Sequence, residues 1–211
     1  MAHRNGLPIQ QRRGNDCYDV DDTIVLVNSP IEPAALALNQ ILPMEHWEQD
    51  IYESEIEVRK QSFIVFQFQG HSWTCIHEYN SSINFKVKYL KALSKLLDTR
   101  VILHTVSDTC NTYGHYCYDA GKLMEELYWT DSYEKFKSRL RSFDYEGGYV
   151  TLADDFWNEQ PDIYIPALVQ TRYQYGQRVT LRIEVYGPET FERNDFVRVD
   201  YMALRKTGTK A

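Results

Sequence analysis

The chain has 211 residues, 43% hydrophobic and 25% charged, which is the composition of a globular protein long enough to bury a sizeable core. This composition excludes collagen-like, low-complexity and intrinsically disordered architectures. The net charge of −7, from 23 basic and 30 acidic residues, disfavours a dedicated nucleic-acid-binding protein, which is usually basic.

Both ends of the chain differ from its middle. Residues 1–22 are polar and interrupted by glycine and proline, which predicts a flexible N-terminal arm, and the basic segment 206–211 predicts a flexible tail. Nothing between them has the composition of a linker, so we expect a single domain over residues 23–205.

The sequence carries no recognisable targeting signal. No apolar run has the length of a signal peptide or of a helix that spans a bilayer, which predicts a soluble, cytoplasmic protein without a membrane partner. The four cysteines include no CxxC pair, and cytosolic thiols stay reduced, so we expect free thiols.

Apolar runs and alternation predict a series of strands. The clearest pair is 62–69 and 72–79, joined by Gly70-His71 as a hairpin, and the first of these is apolar on both faces, as in a strand inside a sheet. A second hairpin, 113–119 with 123–129, turns at Ala120-Gly121-Lys122. Further strands are predicted at 23–28, 55–58, 100–106, 162–167, 178–186 and 196–204.

Helices are fewer than strands in this pattern. They are predicted at 33–42, at 82–97, from Asp131 onward and at 151–159, with a helical turn at 189–193. The helix from Asp131 depends on a capping box with Glu134, followed by an apolar side at Phe136 and Leu140. Residues 45–57 carry six acidic side chains and no basic one, and we expect a solvated stretch there.

Together these elements predict the fold class. It is α+β, with mostly antiparallel sheets and three or four helices packed against them in a single compact domain. Hairpins connect antiparallel strands directly, and few helices stand where they could link parallel strands.

Four segments carry a resemblance to known proteins. FIVFQFQGHSWTCI, KALSKLLDTRVI, SDTCNTYGHYCYDAGKLMEELYW and GQRVTLRIE together resemble a family of uncharacterised bacterial proteins over roughly residues 29–205. The segment 113–129 is also similar to hairpins of bacterial toxin-immunity domains. The resemblance implies one compact bacterial domain, and it implies no activity and no functional residue.

Histidines and cysteines on the strands raise the question of a metal site. His71 and His77 share a strand face but are about 20 Å apart along it, too far to bind one ion. Cys75 with His77 and His115 with Cys117 could together bind zinc only if their strands faced each other, and no feature of the sequence requires that. We therefore expect no metal and no cofactor.

The sequence also lacks the motifs of common catalytic sites. It contains no GxGxxG, no Walker loop, no HExxH and no EF-hand loop, so no catalytic residue is assigned and an enzyme is not the favoured interpretation. Lys88, Lys91 and Lys95 lie on one side of a predicted amphipathic helix, and we interpret them as its solvated face.

Two polar loops, 108–114 and 170–176, are the best candidates for a binding site. They are richer in Tyr, Asn, Gln and Arg than turns require, and these residues are frequent in recognition surfaces. The candidate binding residues are Asp108, Asn111, Tyr113, Arg172, Tyr173 and Tyr175.

The function predicted from these loops is recognition or regulation of another macromolecule, a protein in the first place, without catalysis. One alternative is an enzyme that handles a small molecule in a cleft. Another is a toxin-neutralising, immunity-type protein whose acidic surface complements a basic toxin. A homo-oligomer is compatible with each of these.

Overall fold

A computed structural model describes most of the first two thirds of the chain and several later segments. The described residues are 22–52, 54–79, 85–107, 112–130, 137–138, 144–146, 149–151, 176–181 and 191–205. No helix within these ranges is long and apolar enough to cross a bilayer.

The described elements are two α-helices, one short 3₁₀-helix (Arg193–Asp195) and thirteen strands. The helices are α1 (Ile31–Ile41) and α2 (Val87–Leu97). The strands are β1 (Asp22–Val27), β2 (Met44–Glu48), β3 (Glu55–Glu57), β4 (Ser62–Phe68), β5 (Thr74–Tyr79), β6 (Arg100–Ser107), β7 (Thr112–Asp119), β8 (Lys122–Thr130), β9 (Lys137–Ser138), β10 (Asp144–Glu146), β11 (Tyr149–Thr151), β12 (Arg178–Thr180) and β13 (Phe196–Leu204).

Nine of these strands form one sheet in the order β2-β13-β4-β5-β1-β6-β7-β8-β9. Every neighbouring pair in it is antiparallel, which confirms the predicted α+β class with mostly antiparallel pairing. Two smaller antiparallel pairs, β10 with β11 and β12 with β3, complete the described strands.

The sheet has a core on each face. All seven residues of β4 are buried between β13 and β5, as expected of a strand inside a sheet. On one face, here called the helix face, Phe63 and Val65 pack under α1 and α2. On the opposite face, Ile64 and Phe66 belong to a cluster that the loop around Ile51 helps to cover.

The hairpin of β7 and β8 is fixed against the end of α2. Its turn, Ala120-Gly121, has positive φ at both residues, 45° and 78°, as a two-residue hairpin turn requires. The buried Ser94 hydroxyl donates to Thr99 O at 2.6 Å and accepts from Gly121 N at 3.0 Å. This hydroxyl therefore holds the tip of the hairpin on α2.

The predicted number of helices is wrong for the part of the chain that the structure describes, where only α1 and α2 are α-helical. The helix predicted from Asp131 does not run through residues 137–138, because these form β9 and pair with Tyr128 and Leu127 of β8. The capping box at Asp131 favours a helix, but it is a local signal. The backbone of residues 137–138 instead forms hydrogen bonds with strand β8, which requires an extended conformation. Glu134, Phe136 and Leu140 lie outside the described residues.

Other predicted element boundaries also differ from those in the structure. Thr151, predicted to open a helix, ends β11 instead and pairs with Asp144. The acidic stretch 45–57 contains most of β2, because β13 supplies a pairing partner along Tyr201–Ala203. The predicted arm and tail lie outside the described residues except for Asp22, which opens β1. The strand predicted at 162–167 lies outside them as well.

Candidate functional site

The structure describes little of the two predicted binding loops. Asp108, Asn111, Arg172, Tyr173 and Tyr175 lie outside the described residues, so their role stays a prediction. Tyr113 lies within β7, where its backbone is paired with Val106 of β6 and Trp129 of β8. The first loop therefore leads directly into the hairpin of β7 and β8.

That hairpin carries a group of tyrosines on the helix face of the sheet. We define the tyrosine patch as Gly114, Tyr116, Glu126 and Tyr128. Tyr116 is directly opposite Glu126, and Gly114 is directly opposite Tyr128. Because side chains two apart on a strand share a face, all four positions project to the same side, where Tyr116 packs at the rim of the core under the helices.

Gly114 forms the floor of the patch. A Cβ atom at this position would lie 3.6 Å from Cε2 of Tyr116 and 3.7 Å from Cδ2 of Tyr128, so both rings approach the glycine. The same Cβ would lie 2.6 Å from the Thr105 methyl carbon, a distance that real contacts do not reach. Glycine is required here by space, not by an unusual backbone angle.

A buried carboxylate lies beside the two rings. Glu126 is 6% exposed, whereas the Tyr116 and Tyr128 side chains are partly exposed. Burial, then the charge of Glu126, and then the nearby Tyr128 and Tyr118 raise the pKa of Tyr116 to about 12. Ionisation of the Tyr116 phenol is therefore unfavourable beside Glu126.

Helix α2 contacts both β7 and β8, with Ser94 and Lys95 close to the turn at Gly121. Lys88, Lys91 and Lys95 are exposed on it, which confirms that they form its solvated face. The Lys88 ammonium lies 4.8 Å from the centroid of the Tyr89 ring, a cation–π contact.

The opposite face of the same strands carries a second polar group, the histidine pair His104 and His115. Their Nδ1 atoms are 3.2 Å apart, and Nε2 of His115 lies 3.4 Å from Oε2 of Glu125. His104 is 1% exposed and His115 is fully buried. Glu125 and Glu126 are adjacent on β8, so one strand supplies a carboxylate to each face of the sheet.

Burial, and then the neighbouring His115, hold the pKa of His104 well below its usual range. Burial also lowers the pKa of His115, although the hydrogen bond and charge of Glu125 oppose the shift. Both rings are therefore neutral near neutral pH. If a neutral His115 donates its Nε2–H to Glu125, its Nδ1 can only accept, and the Nδ1–H of His104 is then the donor between the two rings.

The two His/Cys pairs considered from the sequence do not meet. Cys75 and His77 lie on β5, whereas His115 and Cys117 lie on β7, with β1 and β6 between them. Three strand spacings separate the pairs by about 14 Å. Among the described residues, no three His, Cys, Asp or Glu side chains are grouped to hold a metal ion. Cys75 and Cys117 are both buried.

Comparison of this chain with protein-family models, with curated proteins and with solved structures gives no match. The resemblance to a bacterial family therefore stays a prediction. The arguments about function that follow depend on the geometry of the hairpin of β7 and β8.

Proposed function

We propose that this protein recognises another protein and that the tyrosine patch, with the chain segment 108–113 that leads into it, is part of the surface that binds it. The observation that carries the proposal is the approach of two partly exposed tyrosine rings to one glycine beside a buried carboxylate. This arrangement offers aromatic area for contact and phenol groups for hydrogen bonds.

Tyrosine suits this task because it supplies a large, rigid and amphipathic contact surface at a low cost in side-chain entropy. The two rings also stand on paired strands, not on loops. β7 is bonded to β6 on one side and to β8 on the other. A surface held in this way loses little conformational freedom when it binds.

An exposed apolar side chain next to the patch adds to this surface. Met124 is 54% exposed on β8, and the register between β7 and β8 shifts beside it, between Cys117 and Tyr118. A bulge of this kind redirects side chains and often lies near a functional surface. Methionine adapts to partners of irregular shape.

The enzymatic alternative has one observation in its favour, the chain of contacts from Glu125 through His115 to His104. A carboxylate that orients one imidazole against another resembles the arrangement of a general base. Both histidines are almost completely buried, however, and a substrate needs access to the reacting nitrogen. We therefore favour recognition over catalysis. Neutralisation of a toxin by this protein would be one form of recognition.

Site-specific photocrosslinking in the native host tests the proposal. A benzophenone side chain is introduced at Met124, beside the patch, and separately at Leu36 on α1, a matched exposed apolar position with 46% exposure. We expect one abundant protein adduct from position 124 that is absent from position 36. Equal adducts from both positions, or none from position 124, would contradict the proposal.

Alanine variants of the predicted binding residues extend the photocrosslinking experiment. Tyr113→Ala, Arg172→Ala and Tyr173→Ala are expected to weaken formation of the adduct while the melting temperature stays nearly unchanged. If all three variants unfold well below the wild type, the side chains are structural and the loops are not part of the binding surface.

A further inference from the structure

We infer that helix α2 presents a docking surface for an acidic segment of the partner protein. We define the lysine face as Lys88, Lys91 and Lys95 of α2 together with Lys122 at the adjoining hairpin turn. The inference rests on the proposed function, because it names the chemistry of the partner that the protein recognises. It follows from the placement of these lysines, from their charge environment and from their effect on the helix itself.

The lysine face is one continuous exposed surface. All four of its side chains are exposed. The three helical lysines fall within about 60° of one another around the axis of α2 and extend over about 10 Å along it. A Cβ atom at Gly121 would lie 2.9 Å from the Cβ of Lys95, so the turn that carries Lys122 touches the helix. The face therefore continues from α2 onto the hairpin that carries the tyrosine patch.

The charge of α2 is opposite to the charge of the whole chain. Residues 85–100 contain five basic residues and one acidic residue, Asp98, whereas the chain has a net charge of −7. The rest of the chain therefore carries a net charge of −11. Salt screens charges that are more than about 8 Å apart, so a partner docked on α2 responds mainly to the local positive charge.

The lysine face also lacks internal ion pairs in the part of the chain that the structure describes. Four described arginines do form ion pairs with carboxylates of the chain: Arg59, Arg178, Arg193 and Arg198. No described carboxylate pairs in this way with a lysine of the lysine face, although Asp119 is directly opposite Lys122 on β7. These ammonium groups can therefore pair with carboxylates of another protein.

Helix stability does not explain the lysine face. Lys91 and Lys95 are four residues apart and repel each other, and Lys88 adds repulsion three residues before Lys91. The first turn of α2 contains no acidic residue, although the N-terminal end of a helix favours negative charge. A helix face that is only solvated is more stable with glutamate and lysine at such spacings. A binding surface accounts for the uniform positive charge.

The neighbouring side chains favour an acidic protein segment over a nucleic acid. Tyr89 and Leu96 are seven residues apart, so they share the side of α2 that borders the lysines. Leu96 is 49% exposed, and the Lys88 ammonium lies 4.8 Å from the centroid of the Tyr89 ring. An acidic segment with apolar side chains can contact both. A nucleic acid extends its phosphates past this short face, where the net negative charge of the rest of the chain repels them.

Titration with short probes tests the inference. Protein labelled with ¹⁵N is titrated with a blocked peptide of four glutamates and two leucines, with the same peptide carrying glutamine for glutamate, and with pentathymidylate. We expect saturable shifts of the α2 amide signals with the glutamate peptide and none with the glutamine peptide. Pentathymidylate should bind about tenfold more weakly. The affinity for the glutamate peptide should fall as sodium chloride rises from about 20 mM to about 300 mM.

Lys91→Glu and Lys60→Glu provide a matched pair of variants. Both reverse the charge of an exposed lysine, but Lys60 lies between β3 and β4, outside the lysine face. Lys91→Glu should weaken binding of the glutamate peptide about tenfold, whereas Lys60→Glu should change the affinity by less than about twofold. The melting temperature of Lys91→Glu should not fall, because its carboxylate lies one helical turn from Lys88 and from Lys95. Unfolding would then not explain the weaker binding.

Four results would overturn the inference. The first is absence of binding of the glutamate peptide by the wild type, and the second is equal binding by the wild type and Lys91→Glu. The third is equal weakening by Lys91→Glu and Lys60→Glu, which would show a general effect of net charge. The fourth is tighter binding of pentathymidylate than of the glutamate peptide, which would indicate a nucleic acid as the partner.

Photocrosslinking at Met124 separates this inference from the proposed function. A protein adduct that forms equally in the wild type and in Lys91→Glu would contradict the inference and leave the proposed function intact. If the glutamate peptide binds to α2 as expected and no adduct forms at position 124, the proposed function fails. The lysine face would then remain a site for acidic segments.

Discussion

Thr105 on β6 excludes any side chain at position 114, directly opposite it on β7. Its methyl group occupies the space that a side chain at Gly114 would need, with 2.6 Å between the carbons. We expect Gly114→Ala to destabilise the protein by about 1–3 kcal/mol, the usual cost of overpacking. The midpoint of urea unfolding measures this change.

The double variant Gly114→Ala/Thr105→Ser distinguishes crowding from backbone strain. Serine removes the methyl group of Thr105 and retains the hydroxyl, which lies 2.8 Å from the Thr23 hydroxyl. Recovery of most of the lost stability is expected. If the double variant is as unstable as Gly114→Ala alone, crowding by Thr105 is not the cause.

Asp200 is a second residue on which several neighbours depend. This fully buried carboxylate accepts hydrogen bonds from Trp47 Nε1 at 3.0 Å and Arg198 Nη2 at 2.8 Å. It also accepts one from Asp50 N at 3.2 Å, and Arg198 reaches on to Glu32 of α1. One side chain therefore connects β13 with β2 and, through Arg198, with α1.

Asp200→Ala should accordingly cost about 3 kcal/mol of unfolding free energy, because the Trp47 indole N–H loses its acceptor and the Arg198 guanidinium retains only Glu32. Trp47→Phe loses one hydrogen bond and should cost about 1 kcal/mol. Chemical denaturation measures both values. An Asp200→Ala variant no less stable than Trp47→Phe would show that the carboxylate does not stabilise the fold.

At the scale of elements, the pairing of β6 with β7 should respond to pH. His104 and His115 face each other across these strands, with Glu125 on β8 and Ile24 of β1 beside them. The pKa values of both histidines lie below 6.5 in the folded protein, so the unfolded chain binds more protons just below that pH. The free energy of unfolding should therefore fall as the pH decreases through the window below 6.5.

His104→Gln tests this dependence, because it removes the histidine whose pKa is lowered most strongly. Unfolding is measured between about pH 7.5 and about pH 5, and the variant should lose less stability over this range than the wild type. Glu125→Gln should lose more, since it removes the group that raises the pKa of His115. Identical pH dependence in all three proteins would contradict the argument.

The elements also show which parts of the fold the sequence can predict. β4 was predictable because both of its faces are buried, so that a run of apolar residues is its signature. β2 was missed because it lies at the edge of the sheet and keeps acidic residues such as Glu45 exposed. At residues 137–138 the pairing with β8 decides the structure, and no local pattern contains that pairing.

The tyrosine patch was missed for a related reason. Tyr116 and Glu126 are direct neighbours only through the register of β7 and β8, which includes a shift beside Tyr118. The hairpin itself was predictable from Ala120-Gly121, but the shift and the faces of its side chains were not. The histidine pair depends in the same way on the register of β6 and β7.

At the scale of the whole molecule, stability comes from two cores on one sheet. Phe66 is fully buried, with its ring centroid 5.5 Å from that of Phe68 and 5.8 Å from that of Phe196. Phe66→Ala should cost about 3–5 kcal/mol. Val197→Ala, on a side chain that is 42% exposed, should change stability by less than about 0.5 kcal/mol. Thermal and urea unfolding measure the stability of both variants. Similar losses of stability would contradict the assignment of Phe66 to the core and of Val197 to the surface.

The strand order has a consequence for synthesis. β1, the earliest described strand, lies between β5 and β6, and β13, the latest, lies between β2 and β4. During translation β1 therefore emerges from the ribosome long before β5 and β6 are made. Strands β2 and β4 cannot be bridged until β13, residues 196–204, has emerged. Contacts so distant along the chain form slowly. The sheet can close only after translation has passed β13, and until then the apolar edge of β4 is a natural substrate for chaperones.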